Sequence, residues 1–301
     1  MEQAEEHSND SLAMRLQELE KENAMLKRIL DQHGISYSVS VESSTIEQPT
    51  HIVTDHTIRL SLQEKVAIFQ NLFKGRDDVF AKRWYSPSSQ KAGYQPVCER
   101  EWNREYCDKR KYKCADCPNR QFAHLSYNDF FNHLAGKDKF GRDVIGLYPI
   151  CQDDTCYFLC TDFDDKNCEH GYKNDVLAFV NVCNSWNVPC YIERSRSGNG
   201  AHVWIFFNKP ITALKARKLG NAILTEAMDR EARLSFKSYD RFFPNQDSLP
   251  EGGLGNLVAL PLQGMARRKG NSVFVDNKFN AYEDQWTFLS QIHKFSEAEL
   301  D

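Results

Sequence analysis

The hydrophobic and polar positions near the N-terminus repeat with the period of a coiled coil. In "SLAMRLQELEKENAMLKRILD", residues 11–31, spacings of four and three alternate along a seam that consists of Leu12, Leu16, Leu19, Asn23, Leu26 and Leu30. A single Asn in such a seam fixes the register of parallel two-stranded coiled coils. We therefore predict a coiled-coil helix over residues 1–34 and a homodimer. The alternative is one amphipathic helix that packs on its own domain.

The pattern changes twice after this helix. Residues 35–59 have no clear period and are rich in Ser, Thr, Val and His, which predicts a linker. From residue 60 the chain resembles a globular domain, and "SLQEKVAIFQNLFKGR" predicts a helix that ends at Gly75. The stretches "NDVLAFVNVCNSWN" and "ALKARKLGNAILTEAMDRE" predict two more helices.

Short apolar segments rich in β-forming residues alternate with these helices. "VIGLYPI" and "CYFLCTDF" flank the turn "CQDD" and predict a hairpin, and "CYIERSRSG" with "AHVWIFF" predicts a second one. "GNLVALPLQ" and "NSVFVD" predict later strands. Because hairpins dominate over strand–helix–strand crossovers, we predict an α+β fold rather than a doubly wound sheet.

The last residues carry a helix start signal. Ser296 is followed three positions later by Glu299, as in a capping box. We expect residues 296–301 to begin a further segment of a longer polypeptide; the alternative is a frayed terminal turn.

Composition narrows the class of protein. The chain has 301 residues and a formal net charge of −4, so any nucleic-acid-binding surface must be local. The sequence contains no run of eighteen apolar residues and no secretory signal, which predicts a soluble cytoplasmic protein without membrane contact. Several of the ten cysteines lie in apolar stretches, as buried reduced thiols do: Cys151, Cys156, Cys160, Cys183 and Cys190.

Three aspartates follow the apolar strand in "FLCTDFDD", residues 158–165. On a strand, Asp162 and Asp164 share one face while Phe163 points to the other. Two neighbouring carboxylates repel unless a cation neutralises them, and Mg²⁺ or Mn²⁺ prefers such oxygen ligands. The alternative is an acidic turn that faces water.

The second predicted hairpin contains a segment suited to phosphate. In "ERSRSGNGAHVWIFF", residues 193–207, glycines allow backbone N–H groups to approach an anion, and Arg, Ser and His side chains supply further donors. The candidate residues are Arg194, Arg196, Ser197, Gly198, Gly200 and His202. The alternative is an ordinary hairpin turn beside a structural histidine.

A third acidic candidate is Asp240 in "SFKSYDRFFPNQD", with aromatic neighbours and Arg241 beside it. The alternative is an exposed Asp–Arg pair that contributes little to stability.

Four cysteines lie close together in "CEREWNREYCDKRKYKCADC", residues 98–117: Cys98, Cys107, Cys114 and Cys117. Four thiolates can close a tetrahedral site, so we predict a zinc knuckle with a structural Zn²⁺, in which His124 could replace Cys98. The alternatives are free thiols or a redox CxxC pair. Basic and aromatic residues interleave in the same segment, as in proteins that bind single strands. The alternative is a solvated charged face.

Together, "VIGLYPI…FLCTDFDD", "ERSRSGNGAHVWIFF" and "SYDRFFPNQDSLPEGGLGNLVALPLQG" resemble the archaeo-eukaryotic primase superfamily. More narrowly, they resemble the primase-polymerase domain of TOTE conflict systems, over about residues 60–295. The resemblance implies an RRM-like antiparallel sheet as the catalytic core, packed on an N-terminal α/β unit. It also implies a fused or associated helicase and nuclease.

The resemblance further implies residue roles. Asp162 and Asp164 match the first metal-binding motif and Asp240 the third carboxylate, so that the three would bind two Mg²⁺ or Mn²⁺ ions. His202 with Ser197 matches the segment that holds the triphosphate, where Arg194, Arg196 and Arg241 would assist. Ser197 and His202 are five positions apart, whereas many members have Ser-x-His, so the serine or arginine that touches phosphate stays open.

The functional hypothesis is therefore a template-directed nucleotidyltransferase that joins nucleoside triphosphates on a single-stranded DNA template or primer. One alternative is a catalytically silent nucleic-acid-binding module of a larger defence protein, and another is a two-metal nuclease. The Arg/Ser/Gly/His segment favours a triphosphate ligand and hence the first hypothesis.

Overall fold

The computed structural model describes residues 60–165, 171–231, 234 and 236–300, together with five separate helical positions between residues 21 and 32. The chain divides into two compact units, Met1–Thr57 and Ile58–Asp301. The residues of the predicted coiled-coil seam and of the predicted linker lie outside the described residues. The second unit contains both β-sheets of the described residues.

The first helix of this unit, α1 (Leu62–Leu72), begins with a capping box between Ser61 and Glu64. Its buried face includes Phe69. The helix ends at Phe73, so the predicted end at Gly75 is wrong. Gly75 instead allows the chain to pass close to Tyr148, since a Cβ at this position would lie 2.4 Å from the carbonyl oxygen of Tyr148.

A four-stranded antiparallel sheet follows. Its strands are β1 (Ala81–Ser86), β2 (Lys91–Pro96), β3 (Ile145–Leu147) and β8 (Val258–Ala259), in the order β2-β1-β3-β8. The helix α2 (Tyr127–Ala135) begins with a capping box at Ser126 and ends at Gly136, whose φ is +58°. This is the left-handed conformation that glycine adopts readily at helix ends.

A five-stranded antiparallel sheet forms the larger part of the unit. Its strands are β4 (Thr155–Asp164), β5 (Tyr191–Arg194), β6 (Gly200–Thr212), β7 (Tyr239–Phe243) and β9 (Val273–Val275). The helices are α3 (Tyr172–Ser185) and α4 (Ala213–Arg230). The strand order is β7-β4-β6-β5-β9, so β4-α3-β5-β6-α4-β7 is a βαββαβ unit with one additional strand. The predicted α+β class and antiparallel core agree with this topology.

The two predicted hairpins have different outcomes. Strands β5 and β6 pair as the sequence predicts. The hairpin predicted from "VIGLYPI" and "CYFLCTDF" is wrong, because β3 pairs with β1 and β8 whereas β4 pairs with β6 and β7. Both strands are buried on both faces, so their sequences do not reveal that the chain passes from one sheet to the other between them.

The two faces of the five-stranded sheet pack against different elements. On one face Phe163 contacts Phe179 of α3, with ring centroids 5.9 Å apart. On the other face Trp204 contacts Phe73 at the end of α1, with ring centroids 5.1 Å apart. Because side chains alternate along β4, Asp162 lies on the face of Trp204 and not on the face of the two helices.

The remaining elements are short. They are a 3₁₀ turn at Cys114–Asp116 and the helices α5 (Gly264–Arg267), α6 (Gln285–Ser290) and α7 (Glu297–Leu300). Ser296 and Glu299 form the predicted helix start, since the backbone N–H of Ser296 donates to Glu299 Oε2 at 2.7 Å. Within the described part of the chain, every helix is too short or too polar to cross a membrane.

Candidate functional site

Three carboxylates meet at the end of β4. Asp162 and Asp164 are half-buried on this strand, and Asp240 lies on the neighbouring strand β7. One oxygen from each carboxylate lies within 4.8 Å of the other two. The structure therefore brings together the three acidic residues that the sequence marks separately.

An irregularity in β7 makes this convergence possible. Asp162 pairs with Arg241 and Phe163 pairs with Tyr239, so Asp240 is an extra residue between two consecutive pairs. In a regular ladder Asp240 would lie beside Phe163, on the opposite face from Asp162. A β-bulge re-aims side chains in this way, and here it allows the third carboxylate to join the other two.

The charges of the cluster favour a cation. Burial raises the pKa of Asp162, and the negative charges of Asp164 and Asp240 raise it further, while His202 and Arg241 lower it. Asp240 accepts a hydrogen bond from Arg241 Nε at 2.8 Å, which raises the pKa of Arg241. An all-oxygen donor set suits hard divalent ions such as Mg²⁺ and Mn²⁺.

A row of paired residues continues from the carboxylates across the sheet. Asp162 faces His202 on β6, and His202 faces Glu193 on β5. His202 Nε2 lies 3.4 Å from Asp162 Oδ1, and His202 Nδ1 lies 2.8 Å from Glu193 Oε2. Burial by itself lowers the pKa of His202, but Glu193, Asp162 and Asp164 raise it to about 9. The imidazole is thus held beside the acidic cluster.

Glu193 is not among the site residues that the sequence predicts. The second hairpin offered a way to find it. The loop of residues 195–199 closes this hairpin so that Arg194 pairs with Ala201. Counting back one pair places Glu193 opposite His202 on the same face of the sheet. A charged residue that faces a candidate histidine in a buried strand is itself a candidate.

The glycines of the predicted phosphate-binding segment, residues 193–207, have conformational roles. Gly198 has a φ of +86° within the loop, a conformation that L side chains rarely adopt. A Cβ at Gly200 would lie 2.4 Å from the carbonyl oxygen of Phe163. Ser197 is exposed, and its Oγ accepts a hydrogen bond from the backbone N–H of Asn199 at 3.2 Å. These glycines let the loop turn beside the end of β4.

The predicted arginines are separated. Arg194 donates to the carbonyl oxygens of Gly270, at 2.7 Å, and of Phe279. Alternation along β5 also places it on the face opposite to His202. Its guanidinium therefore fastens two loops, and the structure does not bring it to the carboxylates.

Arg196 instead lies near Arg83 and Tyr94 of the four-stranded sheet, which are not among the site residues that the sequence predicts. Arg83 and Tyr94 pair directly across β1 and β2. Burial lowers the pKa of Arg83 and the nearby charge of Arg196 lowers it further; Arg196 also interacts with the Tyr94 hydroxyl. Arg83 and Tyr94 of the four-stranded sheet and Arg196 of the loop after β5 thus form one positively charged cluster.

The four cysteines of residues 98–117 line one small cavity of about 30 Å³. Burial raises the pKa of Cys114; Lys109 lowers it, and Glu101, Cys107 and Cys98 raise it. Among the described residues, however, the group whose ligand atoms lie within 4.8 Å of one another is the aspartate triad and not these thiols. Sulfurs on one tetrahedral zinc lie about 3.8 Å apart, so the thiols would have to draw closer. His124 does not line this cavity, and its Nδ1 forms a hydrogen bond with the carbonyl oxygen of Asp77 at 2.8 Å.

Aromatic and basic side chains in this segment contact one another. Lys109 lies 4.0 Å from the ring centroid of Trp102, and Arg100 lies 4.7 Å from that of Tyr106. Trp102 is 74 % exposed. The ring is therefore accessible to a stacking partner.

Fold and site together define an α+β protein with a carboxylate cluster and adjacent cationic groups, a class suited to metal-assisted chemistry on phosphates. Residues 64–301 match the family described as TOTE conflict system, Archaeo-Eukaryotic Primase domain. Because the match covers most of the chain, the protein belongs to this family. No curated protein matches the chain.

Among solved structures, the polymerase domain of ligase D from Mycobacterium tuberculosis, in complex with DNA, is similar to this chain. The identity is 12% and the TM-score is 0.42, over 78% of this chain and 83% of that chain.

Proposed function

We propose that the protein is a primase-polymerase that joins nucleoside triphosphates on a single-stranded DNA template or primer. Family membership supports nucleotidyl transfer as the reaction class. The single observation that carries the proposal is the convergence of Asp162, Asp164 and Asp240 within 4.8 Å beside His202.

The three aspartates would hold two divalent ions. The donor set fits, because all three ligands are carboxylate oxygens, and burial together with the charges of its two neighbours disfavours the charged state of Asp162 without a cation. Mg²⁺ or Mn²⁺, when bound there, would neutralise charge on the attacking 3′ oxygen and on the leaving pyrophosphate. Phosphoryl transfer depends chiefly on such neutralisation and on positioning.

The cationic side chains next to the triad would bind the triphosphate. His202 lies beside Asp162 and is fixed by Glu193. Arg241 is held by Asp240 at 2.8 Å. Arg196, Arg83 and Tyr94 form a separate cationic cluster that would extend this binding surface, since paired arginines suit phosphate oxygens. The role predicted for Arg194 has less support, because its guanidinium is bonded to backbone carbonyls.

Incorporation of labelled nucleotides on a single-stranded template with Mn²⁺ tests the proposal. We expect extended product in the wild type, and a loss of at least about 100-fold in Asp164→Asn. Circular dichroism should show an unchanged fold in this variant, since Asp164 lies at the end of a strand. A matched control is Asp229→Asn, an exposed acid on α4.

The same assay separates the alternatives. Template binding without product would indicate a catalytically silent module, and template shortening would indicate a nuclease. Unfolding of Asp164→Asn would instead show that the carboxylate is a structural group.

We also propose a structural Zn²⁺ in the cavity lined by Cys98, Cys107, Cys114 and Cys117, on the basis of this shared lining. Template contact by the surrounding basic and aromatic residues, a homodimer, a fused or associated helicase or nuclease, and a cytoplasmic location stay predictions from the sequence.

A further inference from the structure

A buried carboxylate lies behind the candidate histidine. Glu193 is 1% exposed and occupies β5, which lies between β6 and β9. In the paired row it is separated from Asp162 only by His202. A carboxylate is costly to bury unless its oxygens are bonded, so a strand selected only for packing would carry an apolar residue here.

Both hydrogen bonds to Glu193 converge on one oxygen. Oε2 accepts from His202 Nδ1 at 2.8 Å and from Trp204 Nε1 at 2.9 Å. Trp204 is fully buried and stacks on Phe206, with ring planes 5° apart. The indole is therefore a rigid donor that fixes the carboxylate, and the carboxylate in turn fixes the imidazole.

This arrangement sets the direction of the other imidazole nitrogen. Because Nδ1 of His202 is bonded to Glu193, Nε2 is the nitrogen left for a ligand, and it lies 3.4 Å from Asp162 Oδ1. The ring also meets Trp204 edge to face, at 87°. Rotation of the imidazole would break the bond to Glu193 and this ring contact together.

We propose that Glu193 is a positioning residue, which holds the His202 ring so that Nε2 faces the phosphates of the bound nucleotide. The inference rests on the proposed function. Glu193 itself touches no substrate in this arrangement and acts only through His202. Carboxylates that orient metal-bound histidines act in the same way, and their removal lowers activity or affinity about 10- to 100-fold.

Two substitutions distinguish the positioning of the His202 ring from the effect of the negative charge of Glu193. In Glu193→Gln the amide oxygen can accept both hydrogen bonds, so we expect kcat/KM for the nucleotide to stay within about threefold of the wild type. In Glu193→Leu neither bond can form, and we expect kcat/KM to fall about 10- to 100-fold. Glu226→Leu, at a partly exposed glutamate of α4 that pairs with Arg230, is the matched control and should leave kcat/KM unchanged.

A double-mutant cycle tests whether Glu193 acts through His202. We expect Glu193→Leu combined with His202→Leu to be no less active than His202→Leu alone, because the positioning effect disappears with the imidazole. Losses that multiply would overturn the proposal, as would wild-type kcat/KM in Glu193→Leu. If Glu193→Leu fails to fold, Glu193→Asp, which withdraws the carboxylate by one methylene, takes its place.

A measurement independent of activity keeps this inference distinct from the proposed function. A ¹H–¹⁵N spectrum of the histidine side chains should show a hydrogen-bonded Nδ1–H of His202 in the wild type and in Glu193→Gln, and should lose it in Glu193→Leu. If the wild type makes no product but shows this signal, the proposed function fails and the positioning role stands. If the signal is absent from the wild type, the positioning role fails.

Discussion

At the scale of single residues, Arg194 and Arg196 show how the end of a strand separates two similar side chains. Arg194 is the last residue of β5 and Arg196 lies in the loop that follows, and by chemistry both are equally suited to phosphate. Arg194 belongs to the face opposite to His202 and bonds two backbone carbonyls, whereas Arg196 lies near Arg83 and Tyr94. The alternation of a strand is readable from sequence, but the residue at which a strand ends is not.

His133 of α2 has a structural role that is likewise set by its own contacts. It is fully buried, its Nδ1 accepts from the backbone N–H of Ile145 at 3.1 Å, and its Nε2 donates to the carbonyl oxygen of Pro261 at 2.8 Å. Burial lowers its pKa from 6.5 to about 4. The neutral imidazole therefore ties the helix to the segments around two strands of the four-stranded sheet.

We predict a pH-dependent stability from His133. Because its pKa is lower in the folded state, its contribution is complete above pH 6.5 and is lost as the pH falls towards 4, by about 3 kcal/mol in total. In urea denaturation, the difference in free energy of unfolding between the wild type and His133→Gln should shrink by this amount between pH 7 and pH 4. The control His293→Gln, at an exposed histidine, should show a nearly constant difference.

At the scale of elements, the ends of β4 and β7 create the carboxylate cluster. Alternation predicts that Asp162 and Asp164 share a face, and the structure has this arrangement. The bulge that adds Asp240 to them depends on the pairing of two distant strands. The hairpin wrongly predicted between β3 and β4 has a similar cause, since pairing partners are chosen by tertiary packing.

We predict that Gly200→Ala destabilises this junction. A Cβ at Gly200 meets the backbone oxygen of Phe163 at 2.4 Å, so β4 and β6 must move apart, at a cost of about 1–3 kcal/mol. Urea denaturation measures this cost. Gly93→Ala is the matched control, because its obstacle is the side chain of Trp84 on the edge pair β1–β2, which can shift. Equal losses in the two variants would contradict the prediction.

The cysteine segment gives a second prediction at this scale. If the four thiols that line the cavity bind zinc, Cys114→Ser should lose about one equivalent of zinc per chain, measured by elemental analysis. Cys183→Ser, at a buried cysteine outside the cluster, should retain it. Unchanged zinc content in Cys114→Ser would exclude the tetrahedral site.

At the scale of the whole molecule, the loop after β5 meets the four-stranded sheet, because Arg196 interacts with Arg83 and Tyr94. The carboxylates, His202 and Arg196 belong to the five-stranded sheet or its loops, whereas Arg83 and Tyr94 belong to the four-stranded sheet. Under the proposed function, the four-stranded sheet would contribute charge as well as packing to triphosphate binding.

We predict that Arg83→Ala raises KM for the nucleotide about tenfold, since one charge-assisted hydrogen bond to phosphate contributes about that much. Steady-state kinetics measures KM. Arg83 also donates a hydrogen bond to the carbonyl oxygen of Phe140, so thermal unfolding checks that the loop of Phe140 remains folded in the variant. Arg142→Ala, in the same loop but exposed and paired with Asp138, should leave KM unchanged. A KM in Arg83→Ala equal to that of the wild type would place the triphosphate away from the four-stranded sheet.

The sequence by itself determined the α+β class, the three long helices, the second hairpin and the shared face of Asp162 and Asp164. These depend on periodicity and on contacts between residues near each other in the chain. Only the tertiary structure decided which strands pair, where the bulge brings in Asp240, that Glu193 supports His202, and that Arg196 rather than Arg194 lies near the opposite sheet. Each of these depends on register between segments distant in the chain, and burial on both faces leaves no pattern that encodes it.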